Sequence, residues 1–183
     1  MNHHDMTRNM VLAALFAALT AIGAFLQIPT GTVPITLQFL FTALAGLLLG
    51  WKWGAVSQLL YVGIGLLGLP VFTQGGGIGY VLQPSFGFLL GLIPAAVIGA
   101  LTARRTGYLT VLAAVLVGDL ILYAVGVPYM YLILHVYMQS AKTFPALLAA
   151  MLVYVPGDTL KIVVVTALVP VLRRTLAKAV PNL

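Results

Sequence analysis

The chain has 183 residues, of which 62% are hydrophobic and only 7% charged, and its net charge is +6. So few charges exclude a soluble globular domain, and we predict an all-α integral membrane protein that forms one domain over residues 1–183. The positive charge would suggest nucleic-acid binding in a soluble protein. Here the basic residues lie between apolar runs, so the lipid bilayer, and not nucleic acid, is the expected partner. The absence of cysteine excludes disulfides and cysteine-bound metal, and we predict no metal and no cofactor.

Six apolar runs follow one another along the chain, and we interpret them as six transmembrane helices. A span takes about 20 residues, so the second and third runs are short and the sixth is long. Pro156 lies in the middle of the sixth run and predicts a bent helix there. The runs are approximately Met10–Ile28, Ile35–Gly50, Gly54–Leu69, Pro84–Ala103, Leu109–Val127 and Ala146–Leu172.

The loop charges predict the orientation. If the chain crosses six times, seven basic residues fall on one side, and only Lys142 falls in a loop on the other. Because positively charged loops stay in the cytoplasm, we expect both termini to be cytoplasmic. The seven residues are Arg8, Lys52, Arg104, Arg105, Arg173, Arg174 and Lys178.

The loops on the other, external side carry the neutral polar groups. The first external turn leads into Thr36 and Gln38, which we expect to face the bundle interior. The second external loop, residues 69–84, has no charge, four glycines, two glutamines and a tyrosine. Glycine lets the backbone approach a ligand closely, and Gln and Tyr supply neutral hydrogen bonds, although such a loop can also be a simple flexible turn. The candidate contacts here are Gln38, Phe72, Gln74, Gly76, Tyr80 and Gln83.

Asp158 and Lys161 are an acid and a base three residues apart in the otherwise apolar sixth run. At that spacing they share one helix face and can pair. Each charge in a membrane segment costs about 2.5–3.5 kcal/mol, so such residues usually face an interior cavity. The pair is either a structural link between helices or the lining of a binding pocket or ion path. Asp119 in the fifth run could partner Lys161, line the cavity or lie near the cytoplasmic end.

Several activities lack their motifs. The chain has no P-loop, so it does not itself bind ATP in that way, and it has no His-Glu-x-x-His or Gly-x-Ser-x-Gly motif, so we do not expect an enzyme. Small residues recur at four-residue spacing in the first run, as Ala13 with Ala17 and as Ala14 with Ala18. This spacing lets helices approach closely.

Five segments between the second and the sixth run together carry a family resemblance. They are Val33–Gln38, Gly68–Phe72, Gln83–Gly91, Tyr123–Pro128 and Pro156–Lys161. With these segments the chain resembles the BioY family, the biotin-binding S-components of energy-coupling factor (ECF) transporters.

The resemblance implies a prokaryotic plasma-membrane protein with six helices around a pocket that opens to the outside. It implies that the loop between spans three and four closes the pocket and that Asp158 and Lys161 contact the vitamin. It also implies that Ala13 and Ala17 of span one contact a membrane T-component, which carries two ATPase subunits. The S-component is then expected to bind biotin with high affinity and to deliver it inward by reorienting in the membrane.

The chemistry of the candidate residues fits biotin. Ionised Asp158 can accept hydrogen bonds from the ureido N–H groups, and Lys161 can donate to the ureido carbonyl or to the carboxylate. We expect the ureido end to lie deep, because Asp158 would repel a carboxylate. Gln74, Tyr80 and Gln83 would then add neutral hydrogen bonds and lid contacts, while Phe72 covers the rings.

Three other hypotheses remain at this point. The chain could be a stand-alone secondary carrier for biotin or another vitamin, in which Asp158, Lys161 and Asp119 titrate. It could take a different vitamin in the same architecture. A retinal-type photoreceptor with Lys161 as the Schiff base is a third class, although six spans instead of seven argue against it.

Overall fold

The computed structural model describes residues 3–30, 33–102 and 107–179, which form a helical bundle with a small β-hairpin at one end. The α-helices are α1 (His3–Phe25), α2 (Gln38–Leu66), α3 (Phe86–Thr102), α4 (Tyr108–Leu132), α5 (Phe144–Ala150) and α6 (Val155–Ala179). Strand β1 (Gln27–Ile28) pairs antiparallel with β2 (Ile35–Thr36). Short 3₁₀ helices cover Ile78–Leu82 and Met151–Tyr154, and a π-helix covers Ile133–Tyr137.

The second and third apolar runs fall in one helical segment, α2, which folds back on itself. Gly50 has φ +80° and ψ 173°, a backbone conformation that interrupts the helix and that glycine adopts without strain. Gln38 Nε2 donates a 2.7 Å hydrogen bond to Tyr61 Oη, 23 residues further along the chain. In a straight helix these residues would be about 34 Å apart. The halves, residues 38–49 and 51–66, therefore form an antiparallel hairpin.

Glycines let this hairpin pack against α3 at backbone distance. A Cβ atom added to Gly46 would lie 2.3 Å from the carbonyl oxygen of Ala96 in α3. A Cβ added to Gly54 would lie 2.7 Å from the Cα of Gly46 in the other half of the hairpin. Both distances are shorter than any real contact, so only glycine fits at these two positions.

A buried polar cluster joins α1 to both halves of the hairpin. Gln58 Nε2 donates to Thr20 Oγ1 at 3.3 Å, and Gln58 Oε1 accepts from Thr42 Oγ1 at 2.9 Å. All three side chains are fully buried. Inside a membrane an unsatisfied polar group is costly, so these mutual hydrogen bonds hold the three helical segments in register.

The predicted multi-pass membrane class is confirmed by the helices. Within the described ranges, four segments are long and apolar enough to cross a membrane, and α3 is a shorter apolar helix. The outward faces of the helices carry large apolar side chains, among them Leu109, Leu120 and Leu160, which are 81%, 68% and 65% exposed. Such faces need lipid as their solvent. The four segments are Asp5–Phe25, Gln38–Leu66, Tyr108–Tyr137 and Phe144–Thr175.

The bend predicted at Pro156 stays a prediction. The helical pattern of the sixth run changes before that residue, at the 3₁₀ turn Met151–Tyr154 between α5 and α6. Pro156 is the second residue of α6. Proline is well tolerated in the first turn, where its missing N–H has no helical partner to lose.

Hydrogen bonds fix which chain ends lie together. Leu37 N donates to Gly23 O at 3.0 Å, so the end of α1 lies beside the start of α2. Arg173 Nε donates to Leu47 O at 3.1 Å, so the end of α6 lies beside the turn at Gly50. We call the end that holds Arg8, Lys52 and Arg173 the basic end, and the end that holds β1, β2 and residues 67–85 the loop end. Arg104 and Arg105 lie outside the described residues, and Lys178 is described only as part of α6.

The backbone contact at Gly46 predicts a sharp difference between two glycines of α2. Gly46→Ala should destabilise the protein by about 1–3 kcal/mol, because the methyl group must displace the α3 backbone. Gly63→Ala is the matched control, since a Cβ there meets nothing within 4 Å, and alanine favours a helix. Thermal unfolding followed by circular dichroism in detergent measures both. Equal melting temperatures for Gly46→Ala and the wild type would contradict the packing described here.

Candidate functional site

A cleft at the loop end is the candidate site. The space it encloses, including the open solvent at its mouth, is about 610 Å³. Its walls come from β2 and the residues before it, the start of α2, the second external loop, α3, α4, the 3₁₀ turn before α6 and α6. We call it the main cavity. It is lined by Val33, Pro34, Ile35, Thr36, Gln38, Phe39, Thr73, Tyr80, Ser85, Phe88, Leu89, Leu92, Leu122, Tyr123, Met151, Tyr154, Asp158 and Lys161.

The predicted pairing of Asp158 with Lys161 is confirmed, and both residues line the main cavity. Lys161 Nζ lies 2.5 Å from Asp158 Oδ1, and each residue is only 7% exposed. Lys161 Nζ also donates to the carbonyl oxygen of Thr36 at 3.3 Å. Asp158 lies in the first turn of α6, where the helix dipole favours a negative charge. The pair is thus held on one wall of the cavity.

Tyr123 holds the other oxygen of the carboxylate. Its hydroxyl group, on α4, donates to Asp158 Oδ2. Both oxygens of Asp158 therefore have a protein partner, which fixes the plane of the carboxylate. A carboxylate offers about four lone-pair positions, so it can still accept hydrogen bonds from a ligand. Sequence reasoning did not single out Tyr123 as a site residue, although its place one helical turn after Asp119 was an available signal.

The prediction that Thr36 and Gln38 face inward is confirmed, because both line the main cavity. Gln38 Oε1 accepts a 2.8 Å hydrogen bond from Thr36 Oγ1, and Gln38 Nε2 donates to Tyr61 Oη. Tyr61 Oη in turn donates to the carbonyl oxygen of Val71 at 3.1 Å. A chain of hydrogen bonds therefore connects the cavity wall to the second external loop.

Tyr80 also lines the main cavity. Its hydroxyl group lies 2.8 Å from Thr73 Oγ1 and 3.2 Å from Ser85 Oγ, so both ends of the loop meet at one phenol. The carbonyl oxygen of Thr73 accepts a 3.3 Å hydrogen bond from Gln27 Nε2 of β1. The β-hairpin and the second external loop thus contact each other over the cavity.

Two predicted contacts, Phe72 and Gly76, do not line the cavity. Phe72 is 1% exposed, and its ring packs between those of Tyr61 and Tyr80 at centroid distances of 5.5 and 4.6 Å. A Cβ on Gly76 would lie 2.1 Å from the carbonyl oxygen of Leu69. The close approach that glycine allows here is therefore between two parts of the loop itself.

Three further candidates also lie outside the cavity lining. Gln74 and Gln83 are exposed on the loop surface, and their contact with a substrate stays a prediction. Asp119 forms no ion pair with Lys161 within 4 Å, and its Oδ1 is buried without a hydrogen-bond partner among the described residues. It lies one turn from Tyr123 on α4.

The partner-contact candidates on α1 face the interior of the chain's own bundle. Ala13 is 0% and Ala17 is 5% exposed. Ala14 and Ala18, the other pair at four-residue spacing, are exposed. A shift of one residue turns a helix by about 100°, which separates the inward pair from the outward pair.

With the fold and the cavity described, comparison with known proteins identifies the family. The chain matches the BioY family over residues 1–178. It is 53% identical to a probable biotin transporter BioY from Lysinibacillus sphaericus, over 75% of this chain and 72% of that protein. It is 40% identical to the biotin transporter BioY from Rhodobacter capsulatus over 97% of each chain. The crystal structure of the S-component for biotin from an ECF-type ABC transporter matches with a TM-score of 0.82 and 28% identity over 95% of each chain. This chain therefore belongs to the BioY family.

Proposed function

We propose that the chain is a high-affinity biotin-binding S-component of an ECF-type transporter. It captures biotin from outside and delivers it inward with a membrane T-component and two ATPase subunits, on which ATP is hydrolysed. The observation that carries the proposal is the buried Asp158–Lys161 pair on the cavity wall, in a chain whose fold matches a biotin S-component.

The ion pair has the chemistry that a ureido group needs. Asp158 accepts from ureido N–H groups and Lys161 donates to the ureido carbonyl, and such charge-assisted hydrogen bonds are strong. Leu89, Leu92 and Leu122 line the same cavity and supply apolar walls for the bicyclic rings. The cavity therefore offers one polar wall and several apolar ones, which suits a ligand with a polar edge on an apolar body.

The energetic cost of the pair supports a binding role. Buried ion pairs rarely stabilise a fold more than apolar residues of the same size would, because both charges lose their hydration. Asp158 and Lys161 are three residues apart in one helix, so the bond between them does not join two helices. Ligand binding gives these charges partners that water cannot supply in a membrane interior.

In the membrane, we place the cavity outside and the basic end in the cytoplasm. The chain would cross six times, through α1, the two halves of α2, α3, α4, and α5 with α6. The halves of α2, residues 38–49 and 51–66, are about 18 and 24 Å long at 1.5 Å per residue. Both are shorter than about 30 Å of hydrocarbon, so tilted neighbours or local thinning of the bilayer must accommodate them.

The outward face of α1 is the surface we propose for the T-component. Ala14 and Ala18 are exposed, and so are Val11, Leu15 and Ile22 on the same helix. Small residues at four-residue spacing let a partner helix approach closely in lipid. Ala13 and Ala17 instead fill the contact with this chain's own helices.

Calorimetric titration of biotin into the detergent-purified protein tests the binding site. Asp158→Asn and Lys161→Met should each weaken binding by about 1.5–3 kcal/mol, the scale of a hydrogen bond to a charged group. The control is Asp5→Asn, which breaks another (i, i+3) ion pair, that of Asp5 with Arg8 at the basic end, and should leave binding unchanged. An absence of heat for the wild type would refute biotin as the ligand. If both cavity variants bind biotin with unchanged affinity, the Asp158–Lys161 pair has a structural role and does not contact the ligand.

Reconstitution with the T-component and the ATPases tests the docking face. Ala14→Leu with Ala18→Leu should keep biotin binding but lose ATP-dependent biotin uptake into proteoliposomes, because two bulky side chains block close helix contact. The matched control is Ala113→Leu, which enlarges an exposed alanine on a different helix, α4. This variant should take up biotin like the wild type. Accumulation driven by a pH gradient without any partner would instead favour a stand-alone carrier.

A further inference from the structure

A second cavity lies beside the main one at the loop end. The space it encloses, including the open solvent at its mouth, is about 690 Å³. Met151 and Tyr154 line both cavities, so these two side chains form a shared wall. The second cavity is lined by Thr30, Met130, Lys142, Ala146, Leu147, Ala150, Met151, Val153 and Tyr154.

The two sides of the shared wall differ in stiffness. Tyr154 is tied down, because its hydroxyl group donates to the carbonyl oxygen of Val33 and lies 3.0 Å from Thr30 Oγ1. Met151, one turn earlier, has an unbranched side chain that changes shape easily. Both belong to the 3₁₀ turn between α5 and α6. Of the two shared side chains, Met151 is therefore the one that can move without breaking a hydrogen bond of Tyr154.

Lys142 brings one positive charge to the second cavity. The chain has three acidic residues, Asp5, Asp119 and Asp158. Neither of the two ion pairs found among residues 3–30, 33–102 and 107–179 involves Lys142. The side chain is exposed at the loop end, and every other residue lining the second cavity is neutral. An apolar cavity with one uncompensated cation at its edge suits an aliphatic chain that ends in an anion.

We infer that the second cavity takes the carboxylate end of the bound vitamin, with Lys142 as its counter-ion. This inference rests on the proposed function, since biotin carries a ureido group at one end and a carboxylate at the other. With the ureido group at Asp158 and Lys161, the carboxylate points away from the negative charge of Asp158. The shared wall leads it toward Lys142, which also attracts the anion from solution.

Comparison of biotin with its methyl ester isolates this contact, because the ester has no carboxylate charge. For biotin, Lys142→Met should raise Kd by about threefold to tenfold, between the effect of an exposed ion pair and that of a hydrogen bond to a charged group. For the ester, the same variant should bind like the wild type. Lys142→Arg keeps the charge and should retain most of the affinity for biotin. The matched control is Lys52→Met, which removes a lysine at the basic end. It should leave the Kd of both biotin and the ester unchanged.

The outcomes separate the inference from the proposed function. If the wild type binds neither ligand, the proposed function fails. If the wild type binds biotin and Lys142→Met loses nothing, or loses the same factor for both ligands, the inference alone is overturned. Gel filtration of each variant in detergent shows whether it is folded, and Lys142→Arg distinguishes loss of charge from loss of packing if Lys142→Met does not fold.

Discussion

The buried ion pair of Asp158 and Lys161 is the interaction around which the main cavity is arranged. Two charges in a membrane helix are costly, and the surroundings of the pair reduce that cost. Lys161 reaches a backbone carbonyl at Thr36, and Tyr123 donates to the second oxygen of Asp158. The helix dipole of α6 adds a favourable potential at Asp158. The three elements that carry these groups, β2, α4 and α6, all contribute to the walls of the main cavity.

The remainder of the bundle supplies a rigid frame for that cavity. Glycine contacts at Gly46 and Gly54 and the polar cluster around Gln58 fix α1, the hairpin of α2 and α3. At the loop end, hydrogen bonds connect the β-hairpin and Tyr80 through Thr73. The charges of the main cavity are therefore carried by helix α6, and the second external loop adds neutral hydrogen-bonding groups.

The parts of the site that follow from local sequence could be predicted, and those that depend on helix neighbours could not. The pairing of Asp158 with Lys161 follows from helix periodicity alone, and it was confirmed. The hydrogen bond from Tyr123 to Asp158 was not predicted, because it depends on α4 lying beside α6. The packing of Phe72 between Tyr61 and Tyr80 could not be predicted, because nothing in the loop composition shows that the loop packs onto the end of α2. Ala13 and Ala14 are one residue apart, so they point about 100° away from each other around the helix axis. Because the helix is apolar on almost every side, the sequence does not show which of the two faces outward.

A double replacement tests most directly whether the ion pair serves binding and not stability. Asp158→Leu combined with Lys161→Met removes both charges and fills the space with apolar side chains. The melting temperature in detergent should stay at or above that of the wild type, because the desolvation cost disappears, while calorimetric titration should detect no biotin binding. A protein that unfolds at a lower temperature yet still binds biotin would contradict the account and make the pair a structural element of the bundle.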